Sequence, residues 1–432
     1  VEKVPRSVEP RPDFFHGLIG LYAQAEGGRV GMADEQRAKF SAAAPAAGYL
    51  YQVRYALFDS LRRLADGSQF SVSVETLDDV VFRTDGEAAD LLQTKHHFER
   101  QGNLTDGSVD LWKSLRVWCE ALTNGQMPDG SRLILLTTGT APEGTASSYL
   151  RPGDSRDVTK ALTRLNSVAR SSKNVSLATA HEAFRNLTES QRCSLLERVS
   201  VMDRSPTIVN LDSEIRKAIY HAVDTRFLGA FQTRLEGWWY RRIVRHLATN
   251  TMPVLSEELT AELADLREQF RRDNLPIDDE IMRASVDATG YRQRPFVHQL
   301  YLLELTEARI LFAIKDYFRA YTQRSRWIRD ELLVVGELER YEDRLQEEWE
   351  RHFERMREDL GDAAVDAEKR EAARALYAWI EDNHHLRIRS GVAELAIARG
   401  TYQMLSDQIR VGWHIEFKER LLRLLEAGAG TA

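Results

Sequence analysis

The hydrophobic periodicity of this chain changes halfway along its length, and that change limits the folds open to it. Up to about residue 225, short runs rich in β-branched or apolar residues alternate with amphipathic helical stretches. Beyond residue 226 strand signals nearly vanish and long helices follow one another. The 432 residues exceed the usual span of one domain. The expectation is therefore an α/β domain over 40–225 and an all-α helical bundle over 226–432.

In the first half, Gly48 to Leu64 places Leu50, Val53, Leu57, Leu61 and Leu64 at helical spacing. FSVSVET (70–76), DVVFR (79–83) and DLLQTK (90–95) read as three strands with tight connections. A helix over Val109 to Leu122 and a buried strand at LILLTT (133–138) complete the order helix, three strands, helix, strand. From 155 to 225 the pattern is mostly helical, with a candidate strand near 198–202. The second half predicts helices over 229–249, 255–272, 296–322, 325–358, 366–382 and 400–427. Its segment 330–375 is dense in Glu and Arg at spacings that suit pairs along a solvated helix face.

Composition narrows the classes. Hydrophobic residues make up 43% and charged residues 29%, which argues against wholesale disorder. The two cysteines, Cys119 and Cys193, are too few for a disulfide framework or a cysteine-rich zinc site, so a cytoplasmic setting is expected. The apolar run from Phe14 to Tyr22 is broken by His16 and two glycines, which speaks against a signal peptide or membrane span. Residues 1–31 lack an initial Met and precede Met32, so 1–39 is expected to be a disordered or non-native leader. The net charge of −7 gives no global basic footprint for nucleic acid. Locally, 145–175 sets Arg151, Arg156, Lys160, Arg164, Arg170 and Lys173 against only Asp154 and Asp157; it reads equally as a nucleic-acid patch or a solvated face.

The stretch VETLDDVVF followed by DLLQTKHH carries the chemistry. Gln93 and Lys95 stand two apart on a predicted strand and so share a face, and Asp79, opening the strand before, is placed beside that face. Hydrolysis of a phosphodiester needs a divalent cation to bind the phosphate and acidify water. Magnesium takes oxygen ligands; Asp79 would supply a carboxylate, Gln93 an amide oxygen and Thr94 a carbonyl, while Lys95 would orient the water and stabilise developing charge. The plainer reading makes Asp78 and Asp79 a hairpin turn and Lys95 a strand-end lysine. His96 could touch phosphate or move a proton; His96 and His97 equally suit ordinary strand-end positions. Trp112 and Trp118 read as core anchors.

G-Y-L-Y-Q (48–52), V-E-x-x-D-D-V (74–80), L-Q-x-K-H (92–96) and L-T-D-G-S-x-D-L-W-K (104–113) resemble the double-strand DNA endonuclease domain of CD-NTase-associated antiphage effectors. That domain is of the PD-(D/E)XK superfamily, in the variant group with Gln before x-Lys. The resemblance covers about 40–225. It implies that Asp79, Gln93 and Lys95 carry the core motif with Mg2+ or Mn2+, with Glu75 near the metal and Gln52 at a matching position on the first helix. Gln in place of Glu at position 93 removes one negative charge from that site.

In the second half, L-E-G-W-W (235–239), R-W-I-R-D-E-L-L (326–333), I-R-S (388–390), R-G-T-Y-Q-M-L-S-D (399–407) and V-G-W-H-I-E-F (411–417) resemble the C-terminal domain of nuclease subunits from Lamassu-type antiphage systems. These are three-component systems built around an SMC-like ABC ATPase. The resemblance implies a docking and assembly module, with that ATPase and a small middle subunit as partners. Read from the residues alone, Trp238, Trp239, Trp327, Trp349, Trp379 and Trp413 are bundle core, and His384, His385 and His414 lack metal-site spacing.

Together these readings predict a metal-dependent double-strand DNA endonuclease serving as a defence effector, with two sites and hence a homo-oligomer for a double-strand break. Two alternatives stand beside it: a non-catalytic DNA-binding or scaffold subunit of the same complex, and a nuclease gated by a cyclic oligonucleotide.

Overall fold

The computed structural model describes residues 43–75, 78–84, 90–95, 102–249, 252–382 and 386–429. The expected leader and His96, His97, His384 and His385 lie outside them. The chain divides into two compact units after residue 51; of the first, only the opening turns of one helix are described, and the sheet and all later helices belong to the second.

The first half contains α1 (Ala43–Ala65), β1 (Ser71–Val74), β2 (Val80–Arg83), β3 (Asp90–Lys95), α2 (Val109–Thr123) and β4 (Arg132–Thr137), in the order expected. Then come α3 (Ala146–Tyr149), α4 (Val158–Ser171), α5 (Ala178–Asn186), α6 (Glu189–Arg198), β5 (Val199–Met202) and α7 (Asn210–Ala218). One mixed sheet takes all the strands, in the order β5-β4-β3-β2-β1-β6. β1, β2 and β3 form an antiparallel meander, and β3, β4 and β5 run parallel. The edge strand β6 (Val254–Leu255) comes from the second half of the chain and pairs with β1. Two residues are too few to show a strand period in the sequence.

β3 is central and buried on both faces. On one face Leu91, Val81, Leu133, Leu135, Val199 and Val201 pack against Leu111, Trp112, Leu115, Trp118 and Cys119 of α2. The spacing of those α2 residues puts them on one stripe of the helix. Each fully buried leucine there stabilises the fold by about 2 kcal/mol relative to exposure. Trp112 and Trp118 are core anchors, as expected. At the entry to β3, buried Asp90 accepts from Arg63 of α1 at 2.7 Å and from both arms of Arg132 of β4 at 2.6 and 2.7 Å. A buried charge is tolerated only with such partners, so this triad ties the strand's register to its two neighbours.

The second half holds α8 (Leu228–Thr249), α9 (Ser256–Gln269), α10 (Asp279–Met282), α11 (Pro295–Leu302), α12 (Glu307–Arg329), α13 (Glu337–Leu360), α14 (Asp366–Asp382), α15 (Leu395–Asp407) and α16 (Phe417–Ala429). α8 reaches back to the first half through Trp239, whose indole donates to the Val53 carbonyl at 2.9 Å. Trp239, Trp327, Trp349 and Trp413 are buried, whereas Trp238 and Trp379 are half-buried.

Three of the expected long helices break. The run 296–322 is α11 plus the start of α12, 325–358 is the end of α12 plus α13, and 400–427 divides between α15 and α16. After α11, α12 and α15 the residues Glu304, Glu331 and Ile409 adopt φ of 52°, 54° and 60°. Each donates its N–H to the carbonyl three residues back, and the following residue donates to the carbonyl five back. This is the Schellman turn, which normally uses glycine at the left-handed position. A non-glycine there costs about 1–2 kcal/mol, against which glycine's extra chain entropy of about 0.5–1 kcal/mol must be set. Glu331→Gly, at an exposed site, is therefore expected to raise stability by about 0.5–1 kcal/mol; a lower urea midpoint would contradict the strain argument.

Candidate functional site

β3 leaves the core as Gln93, Thr94 and Lys95. Gln93 follows Leu91 on the face covered by α2, and Lys95 follows Gln93, so strand alternation sets both on that face. The two side chains meet as their spacing predicts: the Lys95 ammonium donates to Gln93 Oε1 at 2.9 Å.

The carboxylate against Gln93 is Asp78. Gln93 Nε2 donates to Asp78 Oδ1, Trp118 Nε1 donates to Asp78 Oδ2 at 3.0 Å, and the Asp79 N–H donates to Asp78 Oδ1 at 3.2 Å. Burial pushes the Asp78 carboxyl up to about 6, with the Trp118 and Gln93 donors opposing that rise. The sequence spacing puts Asp79 in this place. Residues 78 and 79 instead form a bend before β2 begins at Val80, so pleat alternation does not govern them. Asp79 turns toward Thr94, its Oδ2 accepting from the Thr94 N–H at 2.7 Å and hydroxyl at 2.9 Å.

Glu75 follows β1 in the left-handed region, with φ 54°, and its N–H donates to the Asp79 carbonyl at 3.0 Å. Strained non-glycine backbone of this kind costs about 1–3 kcal/mol and clusters at functional sites. Partial desolvation and the neighbouring Asp79 carboxylate raise the Glu75 pKa, while a hydrogen bond from Gln52 and the charge of Lys95 act against them. Gln52 Oε1 is buried and has no hydrogen-bond partner among the described residues.

The structure thus gathers Asp78, Gln93 and Lys95 in one hydrogen-bonded chain and Asp79 with Thr94 in another. Glu75 stands beside them, within electrostatic reach of both Asp79 and Lys95, and Gln52 donates a hydrogen bond to it. Trp118 is the member that sequence reading assigned to the core alone; its indole N–H, forty residues from Asp78, carried no signal of this contact.

Among the described residues no group of three or more His, Cys, Asp or Glu is arranged to hold a metal ion. A cation here would rest on fewer carboxylates and on neutral oxygens. Two carboxylates, Glu75 and Asp79, close enough to raise a pKa, and the unpartnered amide oxygen of Gln52 form a donor set made of oxygen, which suits magnesium or manganese.

The basic segment of the sequence is largely engaged within the molecule. Arg151 pairs with Asp203 at 2.8 Å and Glu143 at 2.5 Å, Arg164 with Asp106 at 3.0 Å, and Lys160 with Asp157 at 3.0 Å. Arg156 donates to the carbonyls of Leu150, Leu196 and Glu197. Three of these acids lie outside 145–175, which a local count of charge omits. In the second half, His414 is buried, its Nδ1 accepting from the Glu416 N–H at 3.0 Å, and burial lowers its pKa. Among the described residues, no helix is long and apolar enough to cross a membrane.

Residues 296–421 match a family model described as CTD7, C-terminal domain 7 of the ABC-three component (ABC-3C) systems. The match spans α11 to the start of α16 and supports membership of the chain in such an antiphage system, alongside its ABC ATPase. No curated protein matches the chain.

Proposed function

We propose that the first half of the chain is a metal-dependent double-strand DNA endonuclease of the PD-(D/E)XK type, and that residues 226–432 dock it, as effector, in a three-component defence complex of the Lamassu type. The observation that carries the nuclease reading is the Lys95 ammonium held on Gln93 Oε1 beside the Glu75 and Asp79 carboxylates, where β3 ends. The order helix, three strands, helix, strand supports it, as does the C-terminal match for the docking role.

In this reading Asp79 and Glu75, with the Gln52 and Gln93 amide oxygens near them, would hold Mg2+ or Mn2+, and the Thr94 carbonyl is a further candidate. The bound cation would lower the pKa of a water and offset charge on the phosphate. Lys95 carries the other part of the work. A cation fixed by one hydrogen bond at the end of a rigid strand donates to the phosphate oxygen or to the attacking water without reorganising. Thr94 holds Asp79 through two hydrogen bonds, so that carboxylate is positioned before substrate arrives. One site cuts one strand, so a homo-oligomer would make the double-strand break.

The test is incubation of the purified full chain with supercoiled plasmid. Linear product is expected with millimolar Mg2+ or Mn2+ and none with EDTA. Plasmid left supercoiled under both metals, with the chain alone and with its ABC ATPase partner added, would remove the nuclease reading and leave the scaffold reading.

A further inference from the structure

Asp78 meets the end of the Gln93 amide opposite the Lys95 ammonium, yet it decides what that ammonium meets. A glutamine amide has one donating and one accepting end, and only its partners choose between the two orientations. Here the choice is forced. Asp78 is 6% exposed and lies against Gln93 on one side and Trp118 on the other. An indole N–H can only donate, so Trp118 requires an acceptor at Asp78 Oδ2. Asp78 Oδ1 takes the Gln93 Nε2–H, which leaves Gln93 Oε1 turned toward Lys95.

Resting on the nuclease reading for its consequence, we propose that Asp78 is a positioning residue: seated by Trp118, it orients the Gln93 amide so that the carbonyl oxygen holds Lys95, and Asp78 and Gln93 form a matched carboxylate–amide pair. The glutamine of the Q-x-K motif is then no weakened glutamate. The negative charge absent from position 93 sits across a hydrogen bond from it, at position 78. A glutamate at 93 would bring two carboxylates into contact in a buried place, where like charges cannot both stay ionised. A polar network of this kind is favourable only when every member is satisfied.

The proposal makes an unusual prediction about restoring the acidic motif. Gln93→Glu loses activity, because the new carboxyl and Asp78 cannot both stay ionised, and the proton they share leaves no fixed acceptor for Lys95. Asp78→Asn loses it by another route: Trp118 keeps the asparagine oxygen, its nitrogen now faces Gln93, the amide turns over, and its NH2 group meets the ammonium. In Asp78→Asn/Gln93→Glu the asparagine nitrogen donates to one glutamate oxygen and the other oxygen faces Lys95, so the contact returns with the total charge unchanged.

The experiment measures the four proteins in two ways: the rate at which Lys95 is acetylated in the absence of metal, read by mass spectrometry, and plasmid cleavage with Mg2+. Each single variant is expected to expose Lys95 to faster acetylation and to cut roughly 10- to 100-fold more slowly, the usual effect of losing a supporting hydrogen bond behind an active site. The double variant is expected to return both toward the native values. If acetylation in the double variant stays as fast as in the singles, or the two effects simply add, the pairing is refuted. If melting recovers but neither acetylation nor cleavage does, the pair is structural only and the positioning role is refuted. A native chain that cuts nothing removes the nuclease reading, and the acetylation cycle still decides the pairing.

Discussion

Lys95→Ala is expected to reduce the proposed plasmid cleavage by at least about 100-fold, the loss seen when one preorganised donor to a developing negative charge is removed. The substitution is clean for structural reasons. Lys95 is the last residue of β3 and half-buried; its ammonium makes its hydrogen bond to Gln93 Oε1 at the strand's end, beyond the packed Leu91 and Val81 on the same face. Stability should therefore change by no more than about 0.5 kcal/mol. Lys95→Arg is not expected to restore cutting, because a planar guanidinium cannot place a single point charge where the ammonium stands. Cleavage retained by the alanine variant, at native melting temperature, would exclude Lys95 from the chemistry. Melting lowered together with activity would mean that the strand end needs the lysine for folding, and circular dichroism with thermal unfolding separates those outcomes.

Strand periods and helix stripes are local, and they were legible: the runs 90–95 and 109–122 correspond to β3 and α2 almost residue for residue. What escaped depends on partners distant in sequence or on backbone shapes without a residue signature. Glu304, Glu331 and Ile409 end helices in a conformation that glycine usually marks, so the breaks after α11 and α15 and the true end of α12 had no visible sign. β6 is two residues long and exists because α8 and α9 bring it to β1. The site was half legible for the same reason. The Gln93 and Lys95 contact follows from a period of two, whereas the exchange of Asp79 for Asp78 beside Gln93 follows from a bend and from an indole on α2. Nor does a count of charge along 145–175 show that Asp106, Glu143 and Asp203 fold back onto it.

Gly400→Ala is expected to destabilise the C-terminal helices by about 3 kcal/mol or more. α12 and α15 cross so closely that a Cβ on Gly400 would lie 2.0 Å from the Asp316 carbonyl oxygen and 2.5 Å from Ala320 Cβ. The obstacle is backbone, which no rotamer change can clear, so the helices must part. Ordinary overpacking costs about 1–3 kcal/mol. Here the same crossing also seats Arg324, buried at 6% exposure, which donates to Thr401 Oγ1 at 3.2 Å and pairs with Glu342 of α13. Separating α12 from α15 takes Thr401 away and loosens the ion pair, and breaking a buried pair costs about 3–5 kcal/mol on its own. Gly237→Ala is the control. It lies in α8, where the nearest atom to an added Cβ is the end of the Arg241 side chain at 3.8 Å, so it should gain about 1 kcal/mol of helix propensity instead. Both glycines interrupt helices and look alike in the sequence; only the crossing separates them. Native-like unfolding of Gly400→Ala would mean that the two helices can stand further apart than this packing allows. Because Gly400 lies within the matched segment 296–421, the same variant should, on the proposed docking role, also weaken capture of the chain by an ABC ATPase, while Gly237→Ala should not.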